Sequence, residues 1–221
     1  LPFQRRTCLT GIGTSAGSIN PPPLLSSSSE LALNRHGATE WAKNGRHTGN
    51  TDIPLLPEGE EEARQLAPAL TSHRFAAVFS SPLQRATRTC ELGGLGQQRR
   101  VLETLREWDY GDYEGITTHE IQKSIPNWTV WSHGCPNGED AKAVQQRCEQ
   151  TIAIALAEPG EGDVALFAHG HLLRSLTGTW LGLGATGGRL FKLDTGSICI
   201  LGFERGQRAI ACWNAPTNGL F

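Results

Sequence analysis

Two histidines each follow a short apolar run: Leu31 to Asn34 leads into Arg35-His36-Gly37, and Val164 to Ala168 leads into His169-Gly170-His171. A neutral imidazole is a competent nucleophile, and an arginine beside it neutralises the oxygens of a phosphoryl group under attack. His36 is therefore a candidate phosphoryl acceptor, with Arg35 as its clamp. Gly37 leaves out a side chain beside that ring, so that substrate and backbone are expected to approach closely. Arg85 lies in the segment SSPLQRATRT, Ser80 to Thr89, after the apolar run Phe75 to Phe79. There a serine cap and a proline in the first turn are expected to start a helix. An arginine in that first turn grips two phosphoryl oxygens in a fork, aided by the helix dipole.

Transfer of phosphate to His36 would leave an alkoxide on the departing alcohol. A carboxylic acid at hydrogen-bond distance protonates it, and the same group, ionised, activates water. The segment LREWDYGDYEG, Leu105 to Gly115, offers Glu107, Asp109, Asp112 and Glu114 for that role, in what reads as an ordered loop beside a site. His169 is expected to donate a hydrogen bond to the developing negative charge.

The elements that must hold these groups alternate between strand and helix. Leu31–Asn34, Phe75–Phe79 and Val164–Ala168 read as strands. Helices are expected over 58–70, bent or ended by Pro68, then from Ser80-Ser81-Pro82, over about 140–157 and over about 172–183. Ser197 to Phe203 and Arg208 to Trp213 flank a Gly206 turn as an antiparallel hairpin. The pattern predicts an α/β fold, a three-layer sandwich whose central sheet is mostly parallel with that hairpin at its edge. Ligands of open α/β sheets bind beyond the carboxyl ends of strands, which puts both histidines at one pocket.

The motifs RHG followed by Thr39 and Trp41, SSPLQRATRT, LREWDYGDYEG and the late AHGH, in order from about Leu31 to Phe203, resemble the histidine phosphatase (phosphoglycerate mutase-like) superfamily. The runs GRHTG (Gly45 to Gly49), EWDYGDYEG and HGCPNGE (His133 to Glu139) are most similar to its actinobacterial acid phosphatases and fungal sedoheptulose-bisphosphatases. The resemblance implies that His36 is phosphorylated, that Arg35, Arg85 and His169 form the phosphate pocket, and that Glu107 is the acid and base. It also implies the phosphoglycerate mutase-like fold and a small phosphorylated metabolite as substrate, with neither metal nor organic cofactor. Thr48 and Gly49, within His47 to Asn50, and Tyr110 are expected on the substrate side. A mutase is the neighbouring expectation, but the family's cofactor-dependent mutases carry asparagine where this chain has Ala42, and a longer insertion before the second histidine. The short stretch from Glu107 to His169 makes a small cap that admits water to a phosphohistidine.

Composition sets outer limits. A formal net charge of −2 gives no broad positive field for nucleic acid or membrane surfaces, so an anion must be caught locally. No apolar run reaches the roughly 18 residues that span a bilayer. The six cysteines form no Cys-x-x-Cys pair, and read as reduced thiols of a cytoplasmic protein rather than a zinc site or disulfide scaffold. Residues 1–29 combine Arg5 and Arg6 with no acid, three prolines (Pro21 to Pro23) and four serines (Ser26 to Ser29), a composition that reads as a disordered leader, with organelle import as the lesser alternative. The domain is expected over 30–221, as monomer or homodimer. Two readings from other classes are a metal hydrolase built on His169-Gly170-His171, and a phosphoryl-ligand binding module without turnover.

Overall fold

The computed structural model describes residues 29–215 of the chain; apart from Ser29, the expected leader lies outside them. The chain runs β1 (Leu31–Arg35), α1 (Glu40–Asn44), α2 (Pro57–Gln65), α3 (Ala67–Thr71), β2 (Phe75–Ser80), α4 (Gln84–Leu92) and β3 (Arg99–Val101). It continues with α5 (Thr118–Gln122), α6 (Val130–His133), α7 (Ala141–Leu156), β4 (Asp163–Ala168), α8 (Gly170–Trp180), β5 (Ile198–Glu204) and β6 (Gln207–Ala215).

The strands form one sheet in the order β3-β2-β4-β1-β5-β6. β1, β2, β3 and β4 are mutually parallel where they pair, and β5 and β6 close the edge antiparallel. Side chains alternate faces along a strand. Leu31, Leu33, Val164, Leu166 and Ala168 therefore join one core with Val144, Cys148 and Ile152 of α7 and Leu172, Leu173 and Leu176 of α8. Ala32, Ala165 and Phe167 point the other way, into a second core with Leu66, Leu70 and Cys90. Helices thus cover both faces, which makes the three layers. The segment after β1 packs on one face and the helix after β4 on the other, so the crevice opens between β1 and β4 at their carboxyl ends.

Local structure departs from expectation at several points. The helix expected over 58–70 breaks at Leu66, and Pro68 sits in the first turn of α3, where its missing N–H breaks no bond. α4 begins at Gln84, with Leu83 at its cap, so Pro82 precedes the helix and Ser81 does not cap it. Ser81 Oγ accepts from the Leu83 N–H at 3.3 Å and meets His169 Nε2 at 2.8 Å instead. α8 starts at Gly170 and ends at Trp180, ahead of the left-handed Gly182. The three-residue β3 was not foreseen, because Arg99-Arg100-Val101 has no buried face of its own.

No helix among the described residues is long and apolar enough to cross a membrane.

Candidate active site

β1 and β4 are neighbours in a register that pairs Arg35 with Ala168, so His36 and His169 leave the sheet side by side. The His36 N–H donates to the Ala168 carbonyl at 3.1 Å, and the two imidazole rings lie 5.2 Å apart.

His36 is 5 % exposed, and its Nδ1 stands 2.7 Å from its neighbour's carbonyl, Gly37 O. A carbonyl only accepts, so Nδ1 carries the ring proton and Nε2 keeps the lone pair. Burial holds this imidazole well below its usual range, with Arg85 and then Arg35 adding to the effect. It is neutral, as a nucleophile must be. Gly37 serves the loop rather than the substrate: a Cβ there would lie 2.0 Å from the Gly59 carbonyl in α2. The close approach that glycine permits is backbone to backbone. The Gly37 N–H donates to Thr89 Oγ1 of α4 at 3.1 Å, tying the nucleophile's turn to the helix that carries Arg85.

Arg35 lines the cavity, donates from Nη1 to the Leu193 carbonyl, and has a buried Nε without a protein acceptor among the described residues. An orphaned guanidinium N–H in a low-dielectric site is what an anionic oxygen satisfies. Gly170 leaves the room: a Cβ there would stand 3.3 Å from Arg35 Cζ.

Arg85 is wholly buried and is held against His169 rather than on the cavity wall. Its Nε donates to His169 Nδ1 at 3.1 Å, Nη1 to Thr51 O at 2.9 Å, and Nη2 to Thr48 O at 3.1 Å and Gly49 O at 2.9 Å. His169 is also fully buried, and its two ring nitrogens face Arg85 and Ser81. With Nδ1 accepting from Arg85, the ring's N–H is on Nε2 and points to Ser81 Oγ at 2.8 Å. Burial, then Arg85 and His36, keeps this ring neutral too. His169 and His171 turn to different partners, so the pair does not converge on one point as a metal site would require. Among the described residues no cluster of His, Cys, Asp and Glu could hold a metal.

Of the four acids in the loop, Glu107 lines the cavity. Its carboxylate is fixed at the N-terminus of α8: Oε1 accepts from the Trp108 and Leu172 N–H groups at 2.8 Å each, and Oε2 from the His171 N–H at 3.0 Å. Asp109 accepts from Gly111 N–H, Asp112 from Asn137, and Glu114 from the N–H groups of Gly49 and Thr51. Those three acids shape the loops. Arg147 of α7 locks the Glu107 segment, donating to the carbonyls of Thr104, Arg106 and Glu107 while paired with Glu139 at 2.7 Å.

The cavity is about 230 Å³ in volume. Thr48 and Tyr110 line it; Gly49 is not among the lining residues, its N–H held by Glu114 and its carbonyl by Arg85. His47, from the expected stretch, and His171, named only for the metal reading, also face it, as do Arg46 and Arg174, which were not singled out. Arg174 stacks on Trp131, its Cζ 4.9 Å from the ring centroid, and donates from Nε to Gly188 O at 3.1 Å. Gly170, His171 and Arg174 share one face of α8, a helical spacing that was legible once His169 was placed before a helix.

The profile of the histidine phosphatase superfamily, branch 1, matches residues 31–216. An acid phosphatase of Mycobacterium tuberculosis is 40 % identical over 183 residues, 82 % of this chain and 90 % of its own length. The sedoheptulose 1,7-bisphosphatase of Saccharomyces cerevisiae is 37 % identical over 181 residues, 68 % of this chain and 66 % of its own length. A solved structure of an open reading frame product of Mycobacterium tuberculosis superposes with a TM-score of 0.81 at 38 % identity, over 86 % of this chain and 99 % of that one. The six-stranded α/β sheet, the histidines at its carboxyl edge and these matches agree: the chain belongs to the histidine phosphatase superfamily.

Proposed function

We propose that the protein hydrolyses small phosphate monoesters through a phosphohistidine on His36. The observation that carries this reading is the tautomer: with Nδ1–H held by Gly37 O, the Nε2 lone pair is left to attack in a cavity that also presents Arg35 and Glu107. Nε2 forms the N–P bond as the P–O bond to the alcohol breaks. Glu107 gives the leaving oxygen its proton, and then takes one from the water that attacks phosphorus as the N–P bond breaks, which returns the lone pair to His36 Nε2 and releases phosphate. Arg35 meets the phosphoryl oxygens, and Arg85 supplies fixed positive charge behind them while holding His169. Two relatives named as phosphatases support the reaction class, and the cationic wall of Arg35, Arg46 and Arg174 supports a small phosphorylated metabolite as substrate. Cys90, Cys135, Cys148, Cys199 and Cys212 are free thiols, which supports a cytoplasmic site of action.

Hydrolysis of p-nitrophenyl phosphate by wild type and His36→Ala, each with excess chelator, tests this. Chelator-resistant turnover that the substitution abolishes is expected; turnover lost on chelation would contradict a metal-independent mechanism. With 3-phosphoglycerate the expected product is free glycerate, whereas 2-phosphoglycerate would identify a mutase.

A further inference from the structure

We propose that His171 is a specificity-determining residue, its Nε2–H reading a hydroxyl oxygen on the alcohol half of the phosphate ester, and that Tyr110 positions it. This rests on the phosphatase reading above and names the substrate class that the same cavity selects, hydroxyl-bearing phosphates over plain alkyl phosphates.

His171 is the second residue of α8, and its backbone N–H is spent on Glu107 Oε2 at 3.0 Å, which anchors the residue beside the cavity carboxylate. Tyr110 Oη stands 2.6 Å from His171 Nδ1. Tyr110 is 2 % exposed, and a phenol proton left there without an acceptor would cost the full desolvation of a donor. Nδ1 is the acceptor this bond supplies, so the ring proton sits on Nε2. Burial, reinforced by Glu107, pushes the Tyr110 phenol well above its ordinary value, which keeps that proton in place. Burial and Arg174 hold His171 neutral.

The ring cannot swing freely. Its centroid lies 5.1 Å from that of Trp131, edge to face, and 5.8 Å from that of Tyr110. Nδ1 is occupied, and Nε2 has no protein acceptor among the described residues, while the residue lines the cavity shared with His36 and Glu107. A single neutral N–H, locked in direction and open to the site, supplies one hydrogen bond and no charge, which suits an uncharged hydroxyl or ether oxygen. Thr48 and Thr118 line the same cavity, their hydroxyls against Arg46 O and His47 Nε2 at 3.3 Å each, which leaves them oxygen lone pairs to accept from such a molecule.

Glycerol 3-phosphate and n-propyl phosphate share a carbon count and differ in hydroxyls, so they isolate the contact. Wild type is expected to prefer glycerol 3-phosphate about tenfold in kcat/KM, and His171→Phe to erase the preference through KM with kcat within about twofold. His171→Gln, which can place an N–H near Nε2, is expected to recover part of it. Equal losses on both esters in His171→Phe, or no preference in wild type, would overturn the assignment. Binding of the two esters to His36→Ala by calorimetry reads the same preference without turnover, so failed hydrolysis strikes the phosphatase reading and lost preference strikes this one. Imidazole ¹⁵N spectra, with His171→Gln for assignment, are expected to show Nε2 protonated and Nδ1 not; Tyr110→Phe is expected to mix the tautomers. A protonated Nδ1 in wild type would overturn the proposal.

Discussion

Arg85 Nε donates to His169 Nδ1 at 3.1 Å, and this bond decides the second histidine's tautomer: Nε2 must carry the proton, which it gives to Ser81 Oγ at 2.8 Å. One guanidinium thus orients His169, adds to the burial that depresses the His36 pKa, and grips the carbonyls of Thr48, Gly49 and Thr51. A lysine has neither the fork nor the fixed Nε. Arg85→Lys is expected to lower kcat/KM by about 10²-fold, measured on p-nitrophenyl phosphate with the fold checked by circular dichroism. A drop of about threefold or less would show that charge alone suffices.

Glu107→Gln separates structure from chemistry. The amide would set an N–H donor against one of the three N–H groups that the carboxylate now accepts, so some stability is lost. General acid catalysis is worth about 10²- to 10⁴-fold where the leaving group needs a proton. Alkyl phosphates are therefore expected to slow far more than p-nitrophenyl phosphate, whose leaving group needs none. Equal losses on both would remove Glu107 from the proton transfer.

The neutral histidines set the pH dependence. His36, His169 and His171 are held well below the ordinary imidazole value, and burial takes His47 down to about 4. A depressed folded-state pKa means that the unfolded chain binds more protons as pH falls below about 6.5, so stability is full above that value and is lost on acidification. For His47 the loss runs from about 6.5 down to about 4, at up to roughly 1.4 kcal/mol per pH unit. Urea unfolding across that range is expected to show the decline, with a shallower slope in His47→Phe. An unchanged slope in that variant would contradict the assignment. His36, neutral for the same reason, is expected to retain its nucleophilicity at pH 5.

Gly37 and Gly59 hold the nucleophile's turn against α2. A Cβ on Gly37 would sit 2.0 Å from Gly59 O, and one on Gly59 would sit 2.1 Å from Ala38 O. Backbone on both sides cannot yield as a flexible side chain would. Gly37→Ala is expected to cost about 3 kcal/mol or more and lower the melting temperature by roughly 6 °C or more. A melting temperature within about 2 °C of wild type would contradict the packing described.

Much of this site was legible because its parts are local. Arg35 ends, and His36 directly follows, a strand that is visible from four residues, and Val164 to Ala168 marks the strand that delivers His169. The alternation that sends Leu31 and Leu33 to one core and Ala32 to the other is likewise short-range. Ser81 was read as a cap because Ser-Ser-Pro carries that signal; its actual partner, His169, is 88 positions away. Gly37 was given to the substrate for the same reason, since Gly59 joins it only in the folded chain.

Arg147 shows the limit most clearly. On α7 it is one polar residue among many, yet it clasps the carbonyls of Thr104, Arg106 and Glu107 from at least 40 positions away. Asp109, Asp112 and Glu114 could not be set aside from composition, because what separates them from Glu107 is where α8 begins. The pairing of Tyr110 with His171 spans 61 positions and has no local mark.

The central claim is a covalent phosphohistidine on His36. Rapid acid-free quenching of wild type during turnover of p-nitrophenyl phosphate, followed by mass spectrometry of its peptides, tests it most directly. The account predicts an acid-labile phosphoryl adduct on the peptide that contains His36, formed and decaying at rates compatible with turnover, and absent in His36→Ala. Steady hydrolysis with no adduct at any quench time, or an adduct on His169 or His171 instead, would contradict it.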